Sequence, residues 1–383
     1  MAYINDIYIM DNLFALEQQG VEKHGIKIQN VSHWDSSQEF QQTMNRVLSI
    51  PKQSMPWNYY YTYSISHLDR TNILKNIGVN PSSISNTMGL LLQSSTIAIV
   101  NMINLLTHYN KKKLCILQPS YFSVAHCCET FSLKYSIEYI TFDDGQAVIP
   151  IEKIMKNGYD CIWITSPIFC TGVYFNKTET AKIIQLIQSG VTVVFDESLA
   201  LPGKELVRTI PLNQQVFFIY SPHKAISMNG IKFSAIVCDK FYEDFLEQWV
   251  DVFSGALSSS NRDAVYHYIS PNYLLECYPT YVNYIDKART AIEELLNCYP
   301  NAKTLPNALG HYMNIFTNNS ISDTNQIFTL IEKLINTYHT SFIPGVLNGF
   351  DAMTNFSFRI NLTGNIDELI INTGKILKFL NEH

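Results

Sequence analysis

The spacing of hydrophobic positions changes several times along the chain, and each change marks an element. Over Ser95–His108 apolar residues recur at Ile99, Met102, Ile103 and Leu106, the spacing of one helix face. Lys113–Leu117 is a short apolar run that predicts a strand, and Gln118-Pro119-Ser120-Tyr121 follows it. Tyr135–Phe142 predicts a second strand, and Asp160–Thr165 a third that ends at Ser166-Pro167. Thr178–Ser189 has helical periodicity and stops at Gly190. Val191–Phe195 is β-branched and ends in Asp196; Val216–Tyr220 is apolar and runs into Ser221-Pro222-His223-Lys224; Lys232–Cys238 is strand-like again. Strands alternating with helices in this way predict an α/β fold with a parallel or mixed sheet. In such sheets ligands sit beyond the carboxyl ends of the strands. Tyr121, Asp196 and Lys224 all follow strand ends.

Outside this block the pattern is less regular. Residues 1–50 hold short helix-like stretches and no core of their own, followed by an aromatic patch at Met55–Tyr63. Tyr278–Tyr299 predicts a long helix. It leads to a final segment with a Pro344-Gly345 turn, a strand at Asn355–Leu362 and a helix at Ile366–Leu380. There is no internal repeat and no low-complexity linker.

Composition narrows the classes of function. The chain has 383 residues, 46% hydrophobic and 16% charged, the size of a large domain with a smaller companion. A net charge of −6 offers no basic excess for nucleic-acid binding by counterion release. The run from Gly89 to Leu106 is interrupted by Gln93, Ser94, Ser95, Asn101 and Asn104, so no membrane span is expected. The first residues carry acids and no basic region, unlike a secretory signal. None of the eight cysteines forms a CxxC pair, so no zinc ribbon is expected. The expectation is a soluble, reduced, cytoplasmic protein with no metal, membrane or nucleic-acid partner.

The strongest local chemistry is Ser221-Pro222-His223-Lys224, with Asn229-Gly230-Ile231-Lys232 close behind. A lysine held at a strand end in apolar surroundings loses its proton readily, and the free amine can condense with a carbonyl. Upstream, Val194-Phe195-Asp196 sets a carboxylate at the end of a buried strand, where it needs a cationic partner. A protonated pyridine nitrogen is one such partner.

These motifs, in this order, resemble the pyridoxal-phosphate enzymes of fold type I, in particular the class I/II aminotransferases. The resemblance runs from about Ile28 to Leu362. It implies an α/β/α large domain with a mixed, mostly parallel sheet, and a smaller α+β domain. The expected organisation is 1–50 as the N-terminal segment of the small domain, 51–285 as the large cofactor-binding domain, and 286–383 as the C-terminal small domain. Lys224 resembles the lysine that forms the internal aldimine with pyridoxal 5'-phosphate and moves the substrate's α-proton. Asp196 resembles the aspartate that keeps the pyridine nitrogen protonated, so that the ring acts as an electron sink. Tyr121 resembles the aromatic that stacks on the ring. Ser95 and Thr96, opening a helix, resemble the phosphate cradle. Ser221 and Lys232 resemble further phosphate contacts, with Lys232 where the family usually has arginine. Tyr60 aligns with a tyrosine that reaches the neighbouring subunit's phosphate, which implies a homodimer. Arg359, in Phe358-Arg359-Ile360, resembles the arginine that clamps the α-carboxylate of an amino acid.

Two positions depart from the family. Phe169 stands where an asparagine contacts the cofactor's phenolic oxygen, and Leu199 stands where a tyrosine contacts the same oxygen. Losing both donors should keep the imine protonated to higher pH. Each residue alone also fits an ordinary role: Lys224 as a surface lysine, Asp196 as a turn residue, Tyr121 as core, Ser95 and Thr96 as helix-cap residues, Arg359 as an ion-pair residue. Transamination is the expected reaction. The alternatives are elimination, replacement or cyclisation at the β or γ carbon in specialised metabolism, a decarboxylase suggested by His223-Lys224, or a cofactor-binding protein without catalysis.

Overall fold

The computed structural model describes residues 4–45, 67–225, 227, 229–230, 232–255, 257, 271–319, 324–350 and 356–382. The chain forms two compact units: Asn45–Phe169 with Val173–Thr280, and Met1–Met44 with Cys170–Gly172 and Tyr281–His383.

The larger unit is built on seven strands: β1 (Thr87–Leu92), β2 (Leu114–Gln118), β3 (Tyr135–Tyr139), β4 (Cys161–Thr165), β5 (Thr192–Glu197), β6 (Val216–Tyr220) and β7 (Ser234–Asp239). Their order across the sheet is β3-β2-β4-β5-β6-β7-β1. From β3 to β6 the pairs are parallel, while β7 runs antiparallel to both β6 and β1. Every residue of β1, β2, β4, β5 and β6 is buried. Apolar runs such as Cys161-Ile-Trp-Ile and Val216-Phe-Phe-Ile can be satisfied only where helices cover both faces of a sheet. This is a three-layer α/β/α arrangement, mixed and mostly parallel.

The strand bounds differ from the sequence pattern in instructive ways. Tyr135–Phe142 is two strands, Tyr135–Tyr139 and Thr141–Asp143, and the second pairs with Gln146–Val148 in a hairpin. Lys232 and Phe233 precede β7 rather than opening it. The long helix begins at Pro271 and ends at Leu296, carrying Pro279 inside it. Strand β1 is absent from the sequence pattern altogether.

The smaller unit has a three-stranded antiparallel sheet of β8 (Ala302–Thr304), β9 (Tyr312–Thr317) and β10 (Phe356–Asn361). Residues 4–44 belong here: Gln29–Asn30 pairs in parallel with Thr340–Ser341, and Leu13, Ile28, Val31 and Phe40 are buried. The N-terminal segment therefore borrows its core from the C-terminal one. Cys170–Gly172 also groups with this unit. Gly172 accepts a hydrogen bond from Leu309 N at 2.8 Å, and a Cβ on it would fall 1.9 Å from Leu309 O. Its φ of +71° and this close approach both require glycine.

Candidate active site

In the larger unit, topology alone gathers the chemistry at one sheet edge. Strand order reverses between β2 and β4, the switch point beyond whose carboxyl ends sheets of this kind place their ligands. Tyr121 follows β2, Phe169 follows β4, Asp196 lies near the end of β5, Lys224 follows β6, and the helix Ser95–His108 follows β1. Because β7 is antiparallel, its starting end meets the same edge: Ser234 pairs with Leu92 and Ala235 with Tyr220. That brings Lys232 alongside.

Lys224 sits in a single helical turn, Pro222–Ala225, entered directly from β6. Its Nζ donates to Ser95 Oγ at 2.5 Å and lies 5.7 Å from the centre of the Tyr121 ring. Burial lowers the lysine pKa, the charge of Lys232 lowers it further, and Asp196 opposes both. The amine is thus biased toward its neutral, nucleophilic form. Asp196 is 3% exposed and accepts from Ser198 N at 3.1 Å. Burial raises its pKa, while Ser198 and Lys224 pull it down. A cationic N–H donor at this carboxylate would relieve that desolvation.

Strand alternation separates Asp196 from its neighbour. Glu197 points to the opposite face and accepts from Leu206 N at 2.7 Å, and burial pushes its pKa well above the usual carboxylate range. It anchors a loop and has no part in the site.

Ser94, rather than Ser95, caps the helix: its Oγ accepts from Ile97 N at 3.3 Å. The backbone N–H groups of Ser95 and Thr96 lie in the first turn, where an anion is favoured. The Ser95 hydroxyl itself is engaged with Lys224. Thr96 is exposed, Tyr121 half-buried and Lys232 exposed. Ser221 is fully buried and its hydroxyl donates to Ser234 Oγ at 2.8 Å, so it faces β7. Phe169, 6% exposed, sets its ring 5.7 Å from that of Tyr121. Tyr60 lies outside the described residues. His223 is 1% exposed, tilts against the Phe233 ring at 5.0 Å, and has its pKa pushed down to about 3, chiefly by burial and then by Lys224 and Lys232. It is neutral at physiological pH.

The residues of this edge fit pyridoxal phosphate. The lysine whose pKa burial lowers suits its carbonyl, the buried carboxylate suits its ring N–H, the open helix start suits its phosphate, and Tyr121 offers an aromatic face.

Arg359 belongs to the smaller unit, on β10, and is 1% exposed. Its Nε and Nη2 donate to Ser32 O at 3.3 and 3.0 Å. Its guanidinium carbon lies 3.9 Å from the Trp34 ring centre and 4.9 Å from that of Tyr312. Among the described residues no carboxylate forms an ion pair with it. Among the described residues this buried cation is met by neutral acceptors and aromatic faces, an environment that suits an added anion. Trp34 and Ser32 were not singled out by the sequence, because only tertiary packing brings them to Arg359.

No protein-family model matches the chain, and no curated protein matches it. Solved structures do. Alanine aminotransferase from Pyrococcus furiosus superposes with a TM-score of 0.76 at 16% identity, covering 98% of this chain and 97% of that one. An Escherichia coli protein with a methionine aminotransferase function gives 0.73 at 14% identity, covering 98% and 97%. The kynurenine aminotransferase of Pyrococcus horikoshii, solved in complex with PMP, gives 0.74 at 14% identity, covering 93% and 91%. The fold is therefore that of the class I/II aminotransferases, fold type I. Among the described residues no helix is long and apolar enough to cross a membrane, and no cluster of side chains could hold a metal.

Proposed function

We propose that this protein is a pyridoxal-phosphate-dependent aminotransferase acting on an α-amino acid. The observation that carries the reading is Lys224: a lysine at a strand end, driven toward neutrality by burial, hydrogen-bonded to Ser95 and set against Tyr121. Bound there, the cofactor supplies an electron sink that makes the substrate's α-proton acidic. Lys224 Nζ would hold the cofactor and, as the free amine, would take the substrate's α-proton as a general base. Asp196 binds the ring N–H and keeps its proton in place. The first-turn N–H groups of Ser95 and Thr96, with Lys232, bind the phosphate. Ser221 supports this end through Ser234 and β7. Arg359 binds the substrate carboxylate. Tyr60 and a second subunit complete the site in a cytoplasmic homodimer.

A second reading has its own support. Phe169 presents an apolar wall beside Tyr121, and Leu199 is half-buried two residues past the end of β5. With no polar donor from these two positions, elimination, replacement or cyclisation at the β or γ carbon becomes a competing outcome of the same proton abstraction.

The test is an absorbance spectrum of the protein loaded with pyridoxal phosphate, before and after a panel of amino acids. Borohydride reduction and peptide mass mapping should place the cofactor on Lys224. Bleaching to the amine form of the cofactor with release of a keto acid establishes transamination. Release of ammonia or a side-chain leaving group instead establishes the second reading. A protein that takes up no cofactor ends both.

A further inference from the structure

The sheet of the smaller unit has two unlike faces. Alternation along β9 and β10 puts Met313, Ile315, Thr317, Phe356, Phe358 and Ile360 on one face and Tyr312, Asn314, Phe316, Ser357, Arg359 and Asn361 on the other. Asn314 is the cross-strand partner of Arg359. Buried polar atoms are normally paired. Around Arg359 the Ser32 hydroxyl and the Asn361 amide are paired, but the Asn314 amide, Ser357 Oγ and Asn348 Nδ2 have no partner among the described residues.

Asn348 stands in the turn that follows Pro344 and is 2% exposed. Its Oδ1 accepts from Arg359 Nη1 at 3.4 Å and from the Cys170 thiol at 3.4 Å. Two donors on one side fix the amide orientation, since turning it over would set its NH₂ against the guanidinium N–H. Nδ2 is then left as a buried donor with nothing to bond. The remaining contact of Nη1 is to Cys170 Sγ at 3.5 Å. Both of its partners are long, neutral and weak, so Nη1 can turn to a better acceptor. Burial pushes the Cys170 thiol up despite the neighbouring guanidinium, so it does not neutralise Arg359.

We propose that Asn348 is a substrate-binding residue, its Nδ2 joining Arg359 Nη1 in a two-donor grip on one carboxylate; this rests on the aminotransferase reading for the identity of that carboxylate. The two oxygens of a carboxylate are spaced much like the oxygen and nitrogen of an amide, which lets one group bridge both donors. Asn348 then selects a planar anion over a neutral amide. Cys170, bonded to both, acts as a positioning residue.

The experiment uses the cofactor-loaded protein with acetate as the carboxylate probe and acetamide as its neutral counterpart, read by thermal melting across a concentration series. Acetate should raise the melting temperature of the wild type and acetamide should not, and Arg359→Gln should remove the response. In Asn348→Leu the same rise should need about tenfold more acetate, the loss of one hydrogen bond to a charged group. Its KM for amino acid should rise in the same proportion with kcat little changed. Asn348→Asp places a carboxylate inside the grip; it should melt higher than wild type and lose the acetate response. An unaltered acetate response in Asn348→Leu overturns the proposal, as does a wild type indifferent to acetate, or a kcat loss at constant KM. Cofactor uptake, read separately from the absorbance spectrum, should be unchanged in each Asn348 variant. Failure of uptake in the wild type would sink the aminotransferase reading, and the same acetate series run on the unloaded protein would still report on the grip.

Discussion

Two largely buried cations, one in each unit, meet the same problem in opposite ways. Lys224 sits at the carboxyl edge of a parallel sheet, where burial and Lys232 push its proton off and Asp196 only partly restrains them. Arg359 carries its charge into the interior, where Ser32, Asn348, Cys170 and the Trp34 ring accept it with no counter-ion among the described residues. In the proposed function the first arrangement serves as nucleophile and base, and the second as anion receptor. An amine that gives up its proton and a guanidinium that keeps its charge are different tools, and neither residue type could replace the other.

The contrast can be broken most severely at Lys224. Lys224→Arg keeps a cation but removes a proton-shuttling amine, and should lower turnover by about 10³-fold or more. Borohydride labelling should be lost as well. A variant with near-normal turnover would mean another group moves the proton. Arg359→Gln should act next most strongly. It removes the charge a bound carboxylate needs, and kcat/KM should fall by roughly 30- to 1,000-fold, mostly through KM. Unchanged kinetics would show that the substrate carries no carboxylate at that place. Ser95→Ala is milder. It removes the hydroxyl that accepts from Lys224 Nζ without altering the helix cap at Ser94. Turnover should drop about tenfold with a shifted pH-rate profile. A profile identical to wild type would make the Ser95 contact incidental.

How much of this was legible in the sequence depended on where the information lies. Ser95–His108 and Val216–Tyr220 have in the structure the limits their apolar patterns predict, because each is a single period bounded by polar residues. Strand β1 was hidden since Leu90–Leu92 and the helix after Ser94 form one nearly continuous apolar stretch, and period cannot divide a buried strand from a buried helix. The antiparallel course of β7 leaves no trace in its composition. Lys224 and Asp196 stood out because the ends of apolar strands are where charged residues are conspicuous. Ser32, Trp34 and Asn348 did not, since each is an ordinary loop residue until the fold delivers it to Arg359. Cys170–Gly172, inside the span expected to be all large domain, groups with the smaller unit through a backbone bond to Leu309. No local pattern announces such a bond.

The smallest expected effect concerns the residue beside Lys224, and it sharpens the comparison by asking what a third basic side chain does. His223 is nearly fully buried and its pKa is pushed down to about 3, first by burial, then by Lys224 and Lys232. In the unfolded chain the same imidazole titrates near the ordinary value of 6.5. Between those two values the unfolded state holds the proton and the folded state refuses it, so His223 withdraws stability as pH falls from about 6.5 toward about 3. His223→Gln loses packing against Phe233 and should be less stable at pH 7. At about pH 4.5 it should recover on the order of 2 kcal/mol relative to wild type, since each pH unit below the unfolded pKa costs the wild type about 1.4 kcal/mol. Denaturant unfolding at the two pH values measures this directly, and a deficit of equal size at both would show that His223 is protonated in the folded state. With the relative gain observed, His223 joins neither of the two cations: it is held neutral by burial and fills space behind the lysine whose proton matters.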